Sequence, residues 1–230
     1  MSIISPVILI YYHIAGLGNW KDIVKEQLEC IKRSQLYDRC YEIRIGFLGK
    51  IEDIQPFLND KIKLVYHNEH LEYYEIPTIN KMIEFCKTDQ QEYYILYIHN
   101  KGSTHKICNG IHGQKHWREM MNYWCIEKHL DMLYQLQSGY YTVGINLMGK
   151  NHYSGNFWWA NSQYLAKSKY LRDQLGKINR LSAEFFLLKH RVESRHISLS
   201  GPYINSIDCK GLYGRKIDKV EYVKYDIRII

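Results

Sequence analysis

The run Tyr93-Tyr94-Ile95-Leu96-Tyr97-Ile98-His99 is apolar on both of the faces a strand would present. Side chains alternate across a strand, so a strand with one face in water would alternate apolar and polar. A run without a polar face fits the middle of a sheet covered by helices on both sides, the setting of a parallel α/β core. This segment constrains the architecture more than any other.

The surrounding periodicity agrees with it. Residues 7–13 are rich in β-formers and end at the turn Ala15-Gly16-Leu17-Gly18. Asn19 then reads as an N-cap for a helix with Trp20, Ile23, Val24, Leu28 and Ile31 at helical spacing. Residues 40–48 alternate like a strand and stop at Gly49, and residues 61–67 form another short strand. Pro77 opens a helix with Ile79, Met82, Ile83 and Cys86 on one face. The first hundred residues therefore read strand, helix, strand, short helix, strand, helix, strand, which is a Rossmann-like half. In such sheets ligands bind beyond the carboxyl ends of the strands. His13 and His99 close two of those strands, so the segments after them are the first places to look for a site.

After Lys101 the pattern changes. A polar, Gly-containing loop over 101–113 leads into an amphipathic helix expected over 114–137, with Trp117, Met121, Trp124, Leu130 and Leu133. Two β-like runs follow, 140–147 and 155–160, and Ser182 is expected to cap a short helix over 183–189. No repeat, low-complexity stretch or linker interrupts the chain, so residues 1–230 read as a single domain. Its first half runs to about residue 113, its second over 114–200, and a basic tail with Lys210, Arg215, Lys216 and Lys219 over 201–230.

Composition narrows the function classes. Hydrophobic residues at 46% and charged residues at 24% are an ordinary globular balance. The net charge of +7 attracts phosphates without choosing among a nucleotide, a nucleic acid and a membrane surface. No long basic run accompanies it, which leaves nucleic-acid binding the weakest reading. The six cysteines, Cys30, Cys40, Cys86, Cys108, Cys125 and Cys209, form no CxxC pair and read as reduced thiols of a cytoplasmic protein. Residues 1–12 are apolar but lack a basic leader and a cleavage site, and are too short to span a bilayer, so a strand is expected. The tyrosines, 21 in all, suit half-buried strands as well as stacking on sugars or bases.

Three constellations carry candidate chemistry. His99-Asn100-Lys101-Gly102 follows the best strand, where an ammonium and free backbone N–H groups could meet a diphosphate; a tight turn with a solvated lysine is the alternative. In His152-Tyr153-Ser154-Gly155-Asn156-Phe157-Trp158-Trp159-Ala160 the adjacent indoles must point to opposite faces. One is expected in the core and the other in a cleft against a sugar ring, with Ser154 and Asn156 reading hydroxyls; core packing of both is the alternative. Glu184, in the first turn of a short helix, is either a dipole-compensating residue or a general base. His112 with His116, and His67 with His70, are spaced as ligand pairs but lack a third partner, so zinc is not expected. No Asp-x-Asp stands at the end of a central strand; Asp22, Asp38, Asp53 and Asp60 are isolated.

Taken in order, Tyr11-Tyr12-His13 with Asn19-Trp20, Ser34-Gln35-Leu36-Tyr37-Asp38, the strand ending His99-Asn100-Lys101-Gly102, Trp117-Arg118-Glu119-Met120, the Ser154–Ala160 block and Ala183-Glu184-Phe185-Phe186 resemble a family of glycosyltransferases. That family is encoded in bacterial surface-polysaccharide clusters and large DNA viruses. A more distant similarity runs to rhamnan-synthesis-type proteins. The resemblance covers about residues 7–190.

It implies a GT-A-like α/β fold, a Rossmann-like N-terminal half with a mixed central sheet flanked by helices. It also implies transfer of a hexosyl or deoxyhexosyl group from a nucleoside-diphosphate sugar to a glycan or glycolipid hydroxyl. Tyr11, His13, His99, Lys101, Gly102 and Arg118 would lie on the donor, Ser154, Gly155, Asn156, Trp158 and Trp159 on the sugar or acceptor, and Glu184 would be the base of an inverting reaction. The missing Asp-x-Asp leaves two options. Lys101, Arg118 and loop N–H groups neutralise the diphosphate, which is the preferred expectation, or manganese or magnesium sits on ligands the sequence does not reveal. Nucleic acid is not an expected partner, and membrane association is peripheral at most. A catalytically inactive nucleotide- or carbohydrate-binding protein is the competing reading.

Overall fold

The computed structural model describes residues 6–103, 113–148, 152–171, 181–189 and 195–199. The first half contains strands β1 (Val7–Ala15), β2 (Cys40–Leu48), β3 (Ile62–Asn68) and β4 (Tyr93–His99). Between them lie helices α1 (Trp20–Arg33), α2 (Leu36–Arg39), α3 (Ile51–Ile54) and α4 (Ile76–Thr88). The second half contains α5 (Gly113–Asn122), α6 (His129–Gln137), β5 (Thr142–Gly144), β6 (Leu147–Met148), β7 (His152–Tyr153), β8 (Trp158–Asn161), α7 (Ser162–Ala166), α8 (Leu181–Phe185) and β9 (His196–Ser198).

The main sheet has the order β3-β2-β1-β4-β8-β5-β9. Strands β1 to β4 pair in parallel, whereas β8 runs antiparallel to both β4 and β5. The expected architecture, a Rossmann-like half joined to a mixed central sheet flanked by helices, is the one observed. Strand β4 lies at the middle of the sheet and is buried from Tyr93 to Ile98. It is also the boundary of polarity, parallel to β1 on one side and antiparallel to β8 on the other.

Alternation along the central strands supplies two cores. On one face Tyr12, Ile14, Leu96, Ile98 and Trp159 pack with Val24 and Ile31 of α1 and with Trp117 and Met121 of α5. On the other face Leu9, Tyr11, Tyr97 and Trp158 pack with Ile79, Met82 and Ile83 of α4 and with Phe186. Helix α1 buries the apolar stripe read from its sequence, with Asp22 in its first turn and Lys32 and Arg33 in its last, favourable to the helix dipole. Asn19 occupies the N-cap position, but its side chain makes no capping bond.

The second half departs from the sequence reading in four places. The helix expected over 114–137 is broken by a π-helical turn at Tyr123–Glu127, where Lys128 N–H donates to Tyr123 O at 2.9 Å. Within that turn the Cys125 carbonyl accepts the Trp159 indole N–H at 2.8 Å. The run 140–147 joins the main sheet only over Thr142–Gly144, because Asn146 turns the backbone at φ 52° and Leu147, in β6, pairs separately with Tyr153. The run 155–160 becomes a strand only at Trp158, after Gly155 and Asn156 form a left-handed turn with φ 91° and 57°. Ser182 lies inside α8 rather than capping it, and that helix ends at Phe185. Cys30, Cys40, Cys86 and Cys125 are buried free thiols, while Cys108, Cys209, His112 and the basic tail lie outside the described residues.

Helix α4 approaches the sheet closely at Gly46 on β2. A Cβ there would stand 1.9 Å from Thr78 Oγ1 and 2.8 Å from Thr78 Cβ. Gly46→Ala is therefore expected to lower unfolding stability by about 1–3 kcal/mol through overpacking, measured by urea denaturation. Stability equal to wild type would show that α4 can move away from β2.

Candidate functional site

The carboxyl edge of the parallel strands is locked before any ligand is considered. Asn100, directly after β4, donates from Nδ2 to Ala15 O at 2.7 Å and accepts from Ala15 N–H at 2.9 Å. Its side chain thus ties the end of β4 to the end of β1, where His13 and His99 stand in register. On the α1 side, Gln27 donates to the His99 carbonyl and to Asn122 Oδ1, both at 3.3 Å, and accepts from the Tyr12 hydroxyl at 2.5 Å.

On the α4 side the same edge holds a carboxylate that the sequence reading did not single out. Glu75 immediately precedes α4 in the connection that follows β3, and its side chain makes no cap bond to its own helix. It turns inward, where Oε2 accepts from the Tyr97 hydroxyl and from Asn156 Nδ2, both at 2.7 Å. Oε1 lies 4.0 Å from His99 Nδ1. Burial pushes the Glu75 carboxyl pKa up, but the imidazoles of His99 and His13, with the two hydrogen bonds, outweigh it and hold the group below the ordinary carboxylate range. The preceding residue, Tyr74, has φ 49°, a conformation that bulky residues seldom adopt and that is stored most often near functional sites.

His99 donates from Nε2 to the Gly155 carbonyl at 2.9 Å and meets Phe157 edge-on. Burial lowers its pKa, with Lys101 acting in the same direction and Glu75, the Gly155 bond and Glu184 acting against it. His13 is 3% exposed and hydrogen-bonds through Nδ1 to Thr78 Oγ1 at 2.8 Å. Burial pushes it down to about 4. The Lys101 ammonium lies 4.1 Å from the centre of the Trp117 ring. Glu184, on α8, is half-buried and within electrostatic reach of both His99 and His152.

His13, His99, Lys101, Gly155, Asn156 and Glu184 thus gather around one edge, drawn from β1, β4, the turn before β8, and α8. The other candidates are placed differently. Tyr11 lies in the body of the sheet, its hydroxyl accepting from Arg44 Nη1 at 3.0 Å. Arg118, expected on a diphosphate, instead donates twice to Glu26, at 3.0 and 2.8 Å, and to the Lys101 carbonyl at 2.9 Å. Gly102, at φ 86°, sits beneath that guanidinium, where a Cβ would come within 3.3 Å of Nη1. Both indoles are buried: Trp158 stacks on Tyr97 and donates to Asn156 Oδ1 at 2.9 Å, and Trp159 is anchored in the π turn. They do point to opposite faces, but neither lines an open cleft.

Asn156 also donates to the Ala183 carbonyl at 3.2 Å, so its amide is fully used within the protein. Ser154 is buried and its N–H donates to Asn146 O at 2.9 Å. Gly155 could not be another residue without rearrangement: a Cβ would stand 2.3 Å from Met121 Sδ, at a φ that disfavours side chains. Among the described residues no cluster of three or more His, Cys, Asp or Glu side chains is placed to hold a metal ion.

Beside Glu75, along the start of α4, opens a trough of about 500 Å³ lined mainly by Tyr66, Tyr73, Ile76, Pro77, Lys81 and Tyr170. Lys81 is paired with Glu84 at 2.8 Å, which leaves the rim without net charge. Among the described residues no helix is long and apolar enough to cross a membrane.

The chain matches, over residues 11–196, the model of a family described as a domain of unknown function (DUF8361), and it belongs to that family. No curated protein matches it. Among solved structures it is similar to the 4-diphosphocytidyl-2C-methyl-D-erythritol synthase of Anaerococcus prevotii DSM 20548. The identity is 13% across 98% of this chain and 99% of that one, with a TM-score of 0.41.

His13 makes acid stability a readout of this edge. Its folded pKa of about 4 lies below the unfolded value of about 6.5, so between those limits only the unfolded chain binds the proton. Its contribution is complete above about pH 6.5 and falls away toward pH 4, by about 3 kcal/mol. Glu75, also lowered, adds a loss that begins further into acid. Denaturation of wild type and His13→Asn across this range should show a shallower fall in the variant. Equal slopes would assign the acid loss to other groups.

Proposed function

We propose that this chain is a nucleotide-sugar-dependent glycosyltransferase acting in polysaccharide biosynthesis in the cytoplasm. It moves a hexosyl or deoxyhexosyl group from a nucleoside-diphosphate sugar to a hydroxyl of a glycan or glycolipid. The observation that carries this reading is the convergence of Lys101, His99 and Glu184 at the carboxyl edge of β1 and β4, the place where open α/β sheets bind ligands.

In this reading the diphosphate lies against Lys101 and Gly102, beside which the Arg118 guanidinium holds the Lys101 carbonyl. Glu184 takes the proton of the acceptor hydroxyl as that oxygen attacks the anomeric carbon. The bond from that carbon to the diphosphate oxygen breaks, its electron pair leaves with the diphosphate, and the anomeric configuration inverts. A half-buried carboxylate within electrostatic reach of His99 and His152 is suited to accept that proton. Glu75 is placed differently, because its Oε2 is engaged by Tyr97 and Asn156 and its Oε1 faces His99. The trough along the start of α4, neutral in net charge at its rim and walled by tyrosine rings, is suited to an acceptor sugar.

A second reading has an observation of its own. Arg118, Asn156, Trp158 and Trp159 are all committed to the protein interior. This is also what a nucleotide- or carbohydrate-binding protein without catalysis would show. Donor hydrolysis and transfer, assayed with UDP-, GDP-, CDP- and dTDP-sugars, separate the two. Glu184→Gln is expected to lose at least about 100-fold in turnover, the usual scale for a general base, while keeping the thermal stabilisation given by the nucleotide. Near-wild-type turnover in the variant would remove Glu184 as the base. Nucleotide binding by the wild type without any turnover would favour the second reading.

A further inference from the structure

We propose that binding of a nucleoside diphosphate at this edge is coupled to uptake of one proton by His99 at Nδ1, with Glu75 as the positioning residue that receives the new N–H. The inference rests on the reading of this edge as a diphosphate site and adds to it the source of a second positive charge.

The geometry makes the protonation site unambiguous. Nε2 of His99 faces a carbonyl, Gly155 O at 2.9 Å, and a carbonyl can only accept, so Nε2 carries the hydrogen of the neutral ring. Nδ1 is then an acceptor, and it faces a second acceptor, Glu75 Oε1, across 4.0 Å. Two lone pairs cannot bond to one another, which accounts for a separation too long for a hydrogen bond. A proton on Nδ1 turns the same pair into an N⁺–H donor and a carboxylate, whose natural separation is about 2.7–2.9 Å. Oε2 of Glu75 is held by Tyr97 and Asn156, so the carboxylate is already aimed when the proton arrives.

The groups around His99 set when this happens. Glu75 and Glu184 favour the imidazolium, Lys101 opposes it, and His13, in register on β1, opposes it when charged. Tyr97, two residues earlier on the same face, is held neutral by burial. Without ligand, burial and Lys101 keep His99 below its ordinary range, hence neutral near pH 7. A diphosphate placed against Lys101 cancels the opposing ammonium and adds negative charge beside the ring. Both changes favour the proton. The imidazolium then supplies at the leaving group part of the positive charge that an Asp-x-Asp metal site would otherwise bring.

The test is isothermal titration calorimetry with UDP, GDP, CDP and dTDP, at about pH 7.5 in buffers of differing ionisation enthalpy, where a ligand phosphate of pKa about 6 is already ionised. The wild type should take up about one proton per ligand bound, and its affinity should weaken toward tenfold per pH unit as the solution is made more alkaline. Glu75→Gln and, independently, His99→Gln should bind the same nucleotide with uptake near zero and a flat pH profile. Binding by the wild type without proton uptake, or with uptake unchanged in both variants, would overturn the proposal and leave the diphosphate site standing. Failure of every nucleotide to bind the wild type would overturn both.

Discussion

A carboxylate enclosed by protein is tolerated only where donors reach it, and at Glu75 those donors come from distant parts of the chain. Tyr97 belongs to the central strand and Asn156 to the turn before β8, while His99 faces the second oxygen from the end of β4. Asn156 in turn holds the Ala183 carbonyl, next to Glu184. One ionised side chain therefore adds a polar tie between the two halves to the β4–β8 ladder and the shared cores. Removing a donor from such a group costs about 1–3 kcal/mol or more, because the buried charge keeps its desolvation penalty. That penalty explains why so many polar side chains at this edge are occupied with one another.

The opposite face of the sheet is fixed by a comparable network of different composition. Glu26, Arg118, Asn122, Gln27 and Tyr12 connect α1, α5 and β1, and the Arg118 guanidinium reaches the Lys101 carbonyl. Lys101 thus leaves the sheet between two buried polar assemblies, one at each face. Its backbone is held by the first, and its ammonium is oriented over the Trp117 ring. A lysine whose backbone and ammonium are both held in this way is preorganised, its position set by the fold itself.

Much of the first half was legible in the sequence because its elements carry strong local periodicity. Cys40–Leu48 and Tyr93–His99 appear as strands with the bounds that the pattern implied, and the stripe of α1 is buried as read. The two indoles point to opposite faces for the same reason, a period of two. Patterns of that kind say nothing about where an apolar ring stops being core and starts being cleft, so burial of both Trp158 and Trp159 was not legible. Nor was the role of Arg118, since its partner Glu26 lies far away in sequence. Glu75 carries no periodic signal at all. The available clue was positional: an acidic residue directly ahead of a Pro-containing helix start, where Ser, Thr, Asp or Asn would cap better, in the connection leaving a parallel strand.

The π turn at Tyr123–Glu127 has a consequence for how this chain can change in length. Such a turn holds one residue more than the α-helical turn it replaces, and here its carbonyl at Cys125 anchors the Trp159 indole. Losing one residue there would restore a regular helix and rotate α5 relative to α6 by about 100°. Trp117 would swing away from Gly155, and Arg118 from Lys101, although neither residue had been touched. A segment that looks like an ordinary helix interior is therefore a phase setting for the contacts at Lys101 and Gly155, and its length is constrained apart from the identity of its residues.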